Sequence, residues 1–469
     1  MSKKKAYIET YGCQMNVSDS QLMQGILVAR GYDVAEKPED ADVILVNTCA
    51  IRDHAEQRVF GRVGELYRLK RDRPDLIIGV TGCMAQRLGP SLMEKAPYVE
   101  LVMGPDAYRK LPEVLAGLRP ESTAGTKVRG RAGALPVINN VKASALPNNG
   151  VAVLDFEPHE NYEGLEIERT SKVSAWVPVQ RGCNYRCTYC IVPYVRGSEK
   201  NRDPHHILNE VRGIAEQGIP EVVLLGQTVN SYEHGEWTFP RLLREVARTE
   251  GIRRVRFTSP HPNDFTPDLV TVMAEEPTVC KQLHLPVQSG SNRTLKRMLR
   301  RYTVESYLEK LAWVRRAIPD IALSTDIIVA FPGETAEEYE ATLELMRTVR
   351  YDDAFLYKYS LRAGTPATRL PQGEFIADDV AQERLARIIE LHRSIQAEIN
   401  RTEVGTTTEV LVERVARTPG DVLGRTESNK VVAFPGDETL MGKFLDVRIT
   451  ATTGATFIGE ATTPVERVA

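Results

Sequence analysis

Most of the chemistry this chain could perform rests on its seven cysteines. Three of them, Cys183, Cys187 and Cys190, fall within eight residues in "CNYRCTYC", spaced C-x3-C-x2-C. Thiolates at that spacing can wrap one face of a four-iron, four-sulfur cube and leave the fourth iron without a protein ligand. An iron left open in this way can take a small exchangeable ligand. A structural zinc is the alternative, but it wants a fourth ligand close by, and the nearest histidines, His205 and His206, lie beyond Pro204. Three more, Cys13, Cys49 and Cys83, stand 36 and 34 residues apart, each ending a strand-like run: "ETYGC", "LVNTC" and "GVTGC". They are either three separate buried thiols or one convergent set, and their equivalent positions in successive repeats favour convergence. An odd total excludes complete pairing into disulfides, and clustered cysteines in a reducing compartment more often bind metal or do redox chemistry. Cys280 has no cysteine neighbour and reads as an inert buried thiol.

The elements that must position these thiols follow from the hydrophobic periods. "KAYIETYGC" reads as a strand and "SDSQLMQGILVARG" as a helix capped by Ser18 or Asp19, with Leu22, Ile26 and Leu27 buried and Gly31 as the stop. "ADVILVNTC", a helix from Arg52 to about Arg71, "LIIGVTGC" and "VELVMG" continue the alternation, which makes a parallel sheet with helices on its faces. The carboxyl ends of such strands share one edge, where ligands collect, so Cys13, Cys49 and Cys83 are expected to meet there. Residues 118–168 are rich in Gly, Pro, Ala and Asn without a sustained period and read as a linker or a poorly packed insertion.

From residue 172 six strand candidates alternate with amphipathic helices: 174–180, 221–226, 254–259, 282–288, 323–330 and 354–360. This predicts a partial (β/α)6 barrel, with the C-x3-C-x2-C loop directly after its first strand, at the edge where such folds place chemistry. A helix from Asp378 to Asn400 closes it, presenting Leu385, Ile388, Leu391, Ile395 and Ile399 on one face. Beyond Gly405, short alternating strands divided by Pro and Gly predict a small antiparallel barrel. The expected α/β domains are therefore 1–117, the linker 118–168, 169–400 and 401–469.

Around these thiols, Gly226, Gln227 and Asn230 end the second barrel strand, Gln288, Ser289 and Ser291 the fourth, and Asp326 sits in an apolar strand. Cofactor contacts and ordinary loop capping both fit the strand-end residues. For Asp326 a cofactor contact and a pairing with a nearby Arg are both open. Arg293, Lys296, Arg297, Arg300 and Arg301 lie within nine residues and, on one helix, make a cationic face suited to phosphates, though a solvated surface helix reads the same way. The net charge of −3 excludes a broadly basic nucleic-acid binder but not a local groove. Apolar runs are far too short to span a bilayer, and no secretion signal precedes them, so no membrane and a cytoplasmic location are expected.

C-x3-C-x-aromatic-C after the first strand of a six-fold βα repeat resembles the radical S-adenosylmethionine superfamily. The resemblance implies an iron–sulfur cluster whose open iron chelates S-adenosylmethionine and, when reduced, cleaves it to a 5′-deoxyadenosyl radical. It also places Tyr189 near the adenine. With a second cysteine triad before this core and a small barrel after it, the whole chain outside 118–168 resembles the methylthiotransferase family, whose last domain is called TRAM. The stretches that carry this are "TYGCQMNVSDSQ", "VNTCAIRDHAEQRVFGRVGEL", "QRGCNYRCTYCIVPYVRG", "LLGQTVNSY", "SPHP", "LHLPVQSGSNRTLKRMLRRYT" and "TDIIVAFPGET". They are most similar to the branch that inserts CH3–S at C2 of an isopentenylated adenosine beside the anticodon of tRNA.

What the resemblance implies is two [4Fe-4S] clusters, one on each triad, and S-adenosylmethionine as both methyl donor and radical source. It further implies a small electron-transfer protein as reductant, a monomer, and RNA contacts in the barrel, for which Arg425, Asn429, Lys430 and Lys443 are candidates. The chain departs from the family in carrying Ala330 where Gly is usual, Thr228 where Asn is usual and Asn201 where Ser is commoner. A sister activity on an aspartate of a ribosomal protein is one competing reading. A third member of the family, acting on threonylcarbamoyl adenosine, matches less well, and a non-enzymatic iron–sulfur or zinc protein that binds RNA is the reading from another class.

Overall fold

The computed structural model describes residues 3–50, 53–119, 144–145, 150–165, 167–169 and 171–462. Two compact units emerge: Met1–Thr170 with Arg181–Tyr185 and Ile191–Lys200, and Ser171–Gln180 with Arg186–Cys190 and Asn201–Ala469.

The first unit is built on a seven-stranded sheet in the order Asp33–Val34, Lys5–Thr10, Val43–Thr48, Ile77–Gly82, Leu101–Met103, Val151–Val153, Ser144–Ala145. Every pairing is parallel except the last. Val43–Thr48 and Ile77–Gly82 are buried at every position, as central strands of a parallel sheet covered on both faces must be. Leu22, Leu27, Leu45 and Tyr108 pack on one face, and Val46, Val59, Ile78 and Met84 on the other.

Two expectations need correction in this unit. Part of the supposed linker 118–168 is structural: Val151–Val153 pairs in parallel with Leu101–Met103. Beyond it, the Tyr162 hydroxyl donates to the Pro105 carbonyl at 2.5 Å and accepts from the Tyr108 amide at 3.1 Å. A three-residue strand is too short to show a period, and it is buried by its neighbours rather than by its own pattern. Residues 120–143 of that stretch lie outside the described residues. The first helix spans Gln14–Val28 and is N-capped by Cys13, so Ser18 and Asp19 are interior and buried rather than caps.

In the second unit all six expected strands form: Ser174–Pro178, Glu221–Leu225, Arg254–Phe257, Gln282–His284, Ala322–Val329 and Asp353–Lys358. They hydrogen-bond as two three-stranded parallel sheets rather than one six-stranded wall. The fourth strand stops at His284 instead of running to 288, because Pro286 has no N–H for a ladder. Alternating helices bury Ile207, Phe239, Leu269, Tyr307 and Leu343 in one core. Helix Asp378–Thr402 buries Ile388 and Ile395, with Leu385, Leu391 and Ile399 half-buried beside them.

The chain ends in a closed five-stranded barrel around Val410, Val412, Phe434, Ile449 and Phe457. It is fastened to the third βα strand by two buried arginines on the same strand face. Arg254 donates to the carbonyls of Arg425 and Glu409 at 2.8 and 3.0 Å. Arg256 pairs with Glu221 at 3.0 Å and donates to the carbonyls of Thr426 and Glu427 at 2.8 and 2.9 Å. Among the described residues, no helix is long and apolar enough to cross a membrane.

Candidate metal centres

In the first unit, three adjacent strands lead to the three cysteines at the carboxyl edge of the sheet: Cys49 and Cys83 follow directly on Thr48 and Gly82, and Cys13 comes three residues after Thr10. Close backbone approach holds them there. Gly82 has φ +90°, and a Cβ on it would lie 2.4 Å from Asn47 Oδ1 and 2.5 Å from the Thr48 carbonyl, so only glycine fits before Cys83. A Cβ on Gly12, the residue before Cys13, would lie 2.7 Å from that of Cys49. Cys49 and Cys83 are buried and Cys13 is half-buried.

A buried polar network ties the three loops together. Asn47 Nδ2 donates to the Asn16 carbonyl at 2.8 Å and to Ser20 Oγ at 2.9 Å. Asn16 Nδ2 donates to the Thr48 carbonyl at 3.1 Å, and the Thr48 hydroxyl to the Thr81 carbonyl at 2.6 Å. The Cys13 thiol in turn donates to Asn16 Oδ1 at 3.3 Å.

Segment Ile191–Lys200, which follows Cys190 in sequence, belongs to this same unit. Ile191 and Val195 pack with Ala50 and Cys83. Arg196 Nη2 and Arg181 Nη1 each donate to Asp19, both at 2.8 Å, and Lys200 pairs with Asp106 at 2.6 Å. Burial pushes the Cys83 thiol up, and the Arg196 guanidinium beside it pulls in the opposite direction. Cys183 sits in the tight return of this segment: its amide donates to the Gly197 carbonyl at 3.2 Å. Gly182 before it has φ +76°, and a Cβ there would lie 2.0 Å from the Ser198 carbonyl.

In the second unit, Cys187 is buried and accepts from Arg300 Nη1 at 3.4 Å. The Cys190 amide donates to the Cys187 carbonyl at 3.0 Å. Tyr189 packs against Met298, Phe331 and Ala367, and its burial pushes the phenol well above its ordinary value. Cys280 lies apart, buried, with its thiol pushed up to about 11 by burial.

Among the described residues, no three Cys, His, Asp or Glu groups close on a single ion. Three thiols that each serve a different iron of one cube stand wider than the ligands of one ion. Two buried thiols and one half-buried thiol per set, with Arg196 beside Cys83 and Arg300 beside Cys187, suit a cluster that brings net negative charge. The donor set is thus consistent with iron–sulfur chemistry.

Several expected contact residues turn out to shape loops. Asn230 clamps His261, donating to its carbonyl at 3.0 Å and accepting from its amide at 2.7 Å. Gly226 leaves room for Val229 and Gln180, and Gln180 accepts from the Thr228 amide at 2.9 Å. Gln288 has φ +71° and exchanges backbone hydrogen bonds with Asp326 and Ile328. Ser289 Oγ accepts from the Ser291 amide at 3.2 Å, and Ser291 caps the next helix. Asp326 faces His284 at 3.6 Å rather than an arginine. Gln227 is half-buried on the loop after the second strand.

The cationic helix expected over Arg293–Arg301 is not one face. It ends at Arg297. Arg293 pairs with Glu338 at 2.9 Å, Arg297 with Glu374, and Arg300 is buried. Lys296 and Arg301 are exposed. In the barrel, Lys430 is held by Asp352 at 2.9 Å and by Glu403, and Arg425 by Glu413 at 3.1 Å, so both pair within the fold. Lys443 and Asn429 are exposed.

Sequence reasoning missed Asn16, Asp19, Asn47, Arg181 and Arg196. Their signal was present as polar residues in otherwise apolar elements, such as Asn47 in "VILVNT".

Comparison with known proteins agrees with this architecture. Residues 5–104 match the uncharacterized protein family UPF0004, 177–346 the radical SAM superfamily and 401–462 the TRAM domain. Among solved structures, the radical S-adenosylmethionine methyltransferase TsrM from Kitasatospora setae shares the fold. Its TM-score is 0.57 at 14% identity, over 90% of this chain and 81% of that one. The tRNA-2-methylthio-N(6)-dimethylallyladenosine synthase of Phocaeicola vulgatus is 45% identical over 97% of this chain and 96% of its own. The protein of the same name from Thermoanaerobacter sp. (strain X514) is 44% identical over 97% and 92%. With three domain matches in series and this identity along nearly its whole length, the chain belongs to the family of the tRNA-2-methylthio-N(6)-dimethylallyladenosine synthases, within the radical SAM superfamily.

Proposed function

We propose that the chain is a tRNA methylthiotransferase that inserts CH3–S at C2 of an N6-isopentenylated adenosine beside the anticodon. The observation that carries this reading is the gathering of Cys13, Cys49 and Cys83 on one sheet edge, in a chain that also bears the C-x3-C-x2-C loop and resembles so named relatives along its length. In this reading Cys183, Cys187 and Cys190 hold one [4Fe-4S] cluster and Cys13, Cys49 and Cys83 a second. A cluster held by Cys183, Cys187 and Cys190 would supply, with S-adenosylmethionine, the one-electron chemistry that no side chain can perform, and one held by Cys13, Cys49 and Cys83 would supply the sulfur.

The chain's own residues hold, orient and shield. Asn16, Asn47 and Thr48 fix the loops that carry the auxiliary thiols. Asp19 locks Arg181 and Arg196 beside them. Tyr189 and its apolar neighbours Met298 and Phe331 exclude water next to Cys187 and Cys190. Lys296, Arg301 and Lys443 are exposed and are offered to RNA phosphates. A small low-potential electron-transfer protein as reductant and a monomeric state complete the proposal.

The test is anaerobic turnover of the reconstituted full-length protein with isopentenylated tRNA, S-adenosylmethionine and a reductant, followed by nucleoside mass spectrometry. The expected products are 5′-deoxyadenosine and the 2-methylthio nucleoside. With iron and sulfide fully loaded, production of neither overturns the reading. Methylthiolation of the ribosomal protein instead of tRNA transfers the chain to the sister activity.

A further inference from the structure

Among the described residues, Arg300 is a buried cation with no acidic partner. Its three hydrogen bonds run from Nε to the Tyr302 hydroxyl at 2.9 Å, from Nη1 to Cys187 Sγ at 3.4 Å and from Nη2 to the Pro286 carbonyl at 3.3 Å. The residue is 8% exposed, and among the described residues it forms no ion pair with a carboxylate; its hydrogen bonds go to Tyr302, Cys187 and Pro286. The contrast with its neighbours is sharp. Arg293 and Arg297 each reach a glutamate, and the buried pair Arg181 and Arg196 share Asp19.

A guanidinium cannot shed its proton to escape burial, and an unpaired buried charge is strongly destabilising. Since no described residue supplies the offsetting anion, one that arises in the functional state fits the site. Of its three contacts, two are neutral oxygens and one is a thiol that becomes anionic on ligating iron.

We propose that Arg300 is a tuning residue for the cluster on Cys183, Cys187 and Cys190, its guanidinium donating to the Cys187 sulfur and favouring the reduced cluster. The inference rests on the assignment of that triad as an iron–sulfur site. Three thiolates on a [4Fe-4S]2+ core give a net charge of −1, and one electron from a low-potential donor takes it to −2. A fixed cation within hydrogen-bond reach stabilises the more negative state and raises the potential, since charge and hydrogen bonds at the sulfurs set it. Nothing is protonated or broken in this step; one electron is gained by the cluster and lost by the donor. Tyr302, which accepts from Nε and donates to the Val287 carbonyl at 2.8 Å, keeps the guanidinium plane in place.

The experiment is a potentiometric titration followed by electron paramagnetic resonance, on full-length protein carrying Cys13→Ala, Cys49→Ala and Cys83→Ala so that one cluster remains. Arg300→Met should lower the reduction equilibrium constant at least tenfold, about 59 mV for a one-electron couple. Arg300→Lys, which keeps the charge, should recover more than half of that shift. If Arg300→Met fails to fold or to hold iron, Arg300→Gln is read by the same criterion. A loaded cluster whose midpoint is unmoved in the neutral variant overturns the proposal, as does a lysine variant no better than the neutral one. Should the parent with Arg300 intact form no cluster at all, the assignment of the triad falls, and this inference with it.

Discussion

Asp19→Asn isolates one charge at the base of the auxiliary site while keeping the shape of the side chain. Asp19 is fully buried and accepts from Arg181 and Arg196 at 2.8 Å each, with both guanidiniums 4% exposed. An amide offers a single acceptor oxygen, so one guanidinium would face the Nδ2 donor, and both would lose their shared anion. Removing one partner of a buried pair costs about 3–5 kcal/mol. For a unit of this size each kcal/mol moves the melting temperature by about 2–4 °C. The first transition of the apo protein at pH 7, followed by circular dichroism, should therefore fall by roughly 6–20 °C.

A pH series tests the same reasoning. Burial pushes the Asp19 carboxyl up, but the Arg181 and Arg196 guanidiniums outweigh it and hold it below its ordinary value. A depressed carboxyl contributes stability above its unfolded value and loses it only as pH falls through the folded one. The gap between parent and variant should thus stay constant from pH 7 to 5 and narrow only below about pH 4. A gap under about 1 kcal/mol at pH 7, or one that closes between pH 7 and 5, refutes the charge-lock account.

Three further outcomes are expected. Ala330 has φ +57°, which costs a residue with a Cβ about 1–2 kcal/mol; allowing for the freer unfolded chain of glycine, Ala330→Gly should raise stability by about 0.5–1 kcal/mol in urea titration. A loss of stability would mean that the methyl group packs favourably. Lys296→Glu should weaken tRNA binding and make the negative slope of log K against log salt shallower by about 1, whereas an unchanged slope returns Lys296 to the solvated surface. Alanine at Cys183, Cys187 or Cys190 should abolish S-adenosylmethionine cleavage, while alanine at Cys13, Cys49 or Cys83 should leave part of it and stop sulfur transfer; equal loss in both sets contradicts the division of labour.

Long, strongly patterned elements were legible from the residues alone. Each of the six core strands and the closing helix shows its period in sequence, and the three distant cysteines could be placed on one edge because parallel strands leave no other arrangement. What escaped had a physical reason in each case. Val151–Val153 is too short for periodicity, and its place is fixed by the long-range partner Leu101–Met103. Ser18 and Asp19 look like a helix cap because small polar residues usually do that work, yet both are buried inside the helix, and Asp19 pairs with Arg181 and Arg196, which the sequence cannot link to it over more than 160 positions. The charged run Arg293–Arg301 reads as one surface, but its acidic partners Glu338 and Glu374 lie far along the chain, and Arg300 turns inward to a cysteine. The family's usual glycine at position 330 becomes intelligible only once the left-handed backbone is seen there.

Iron and labile sulfide per chain, measured in the anaerobically reconstituted protein and in two variants that each lack one cysteine triad, test most directly whether the six thiols sort into two cluster sites. Two four-iron cubes require about eight irons and eight sulfides in the parent and about four of each in either variant. A parent that saturates at four, or a variant in which removal of one triad empties both sites, would contradict that sorting.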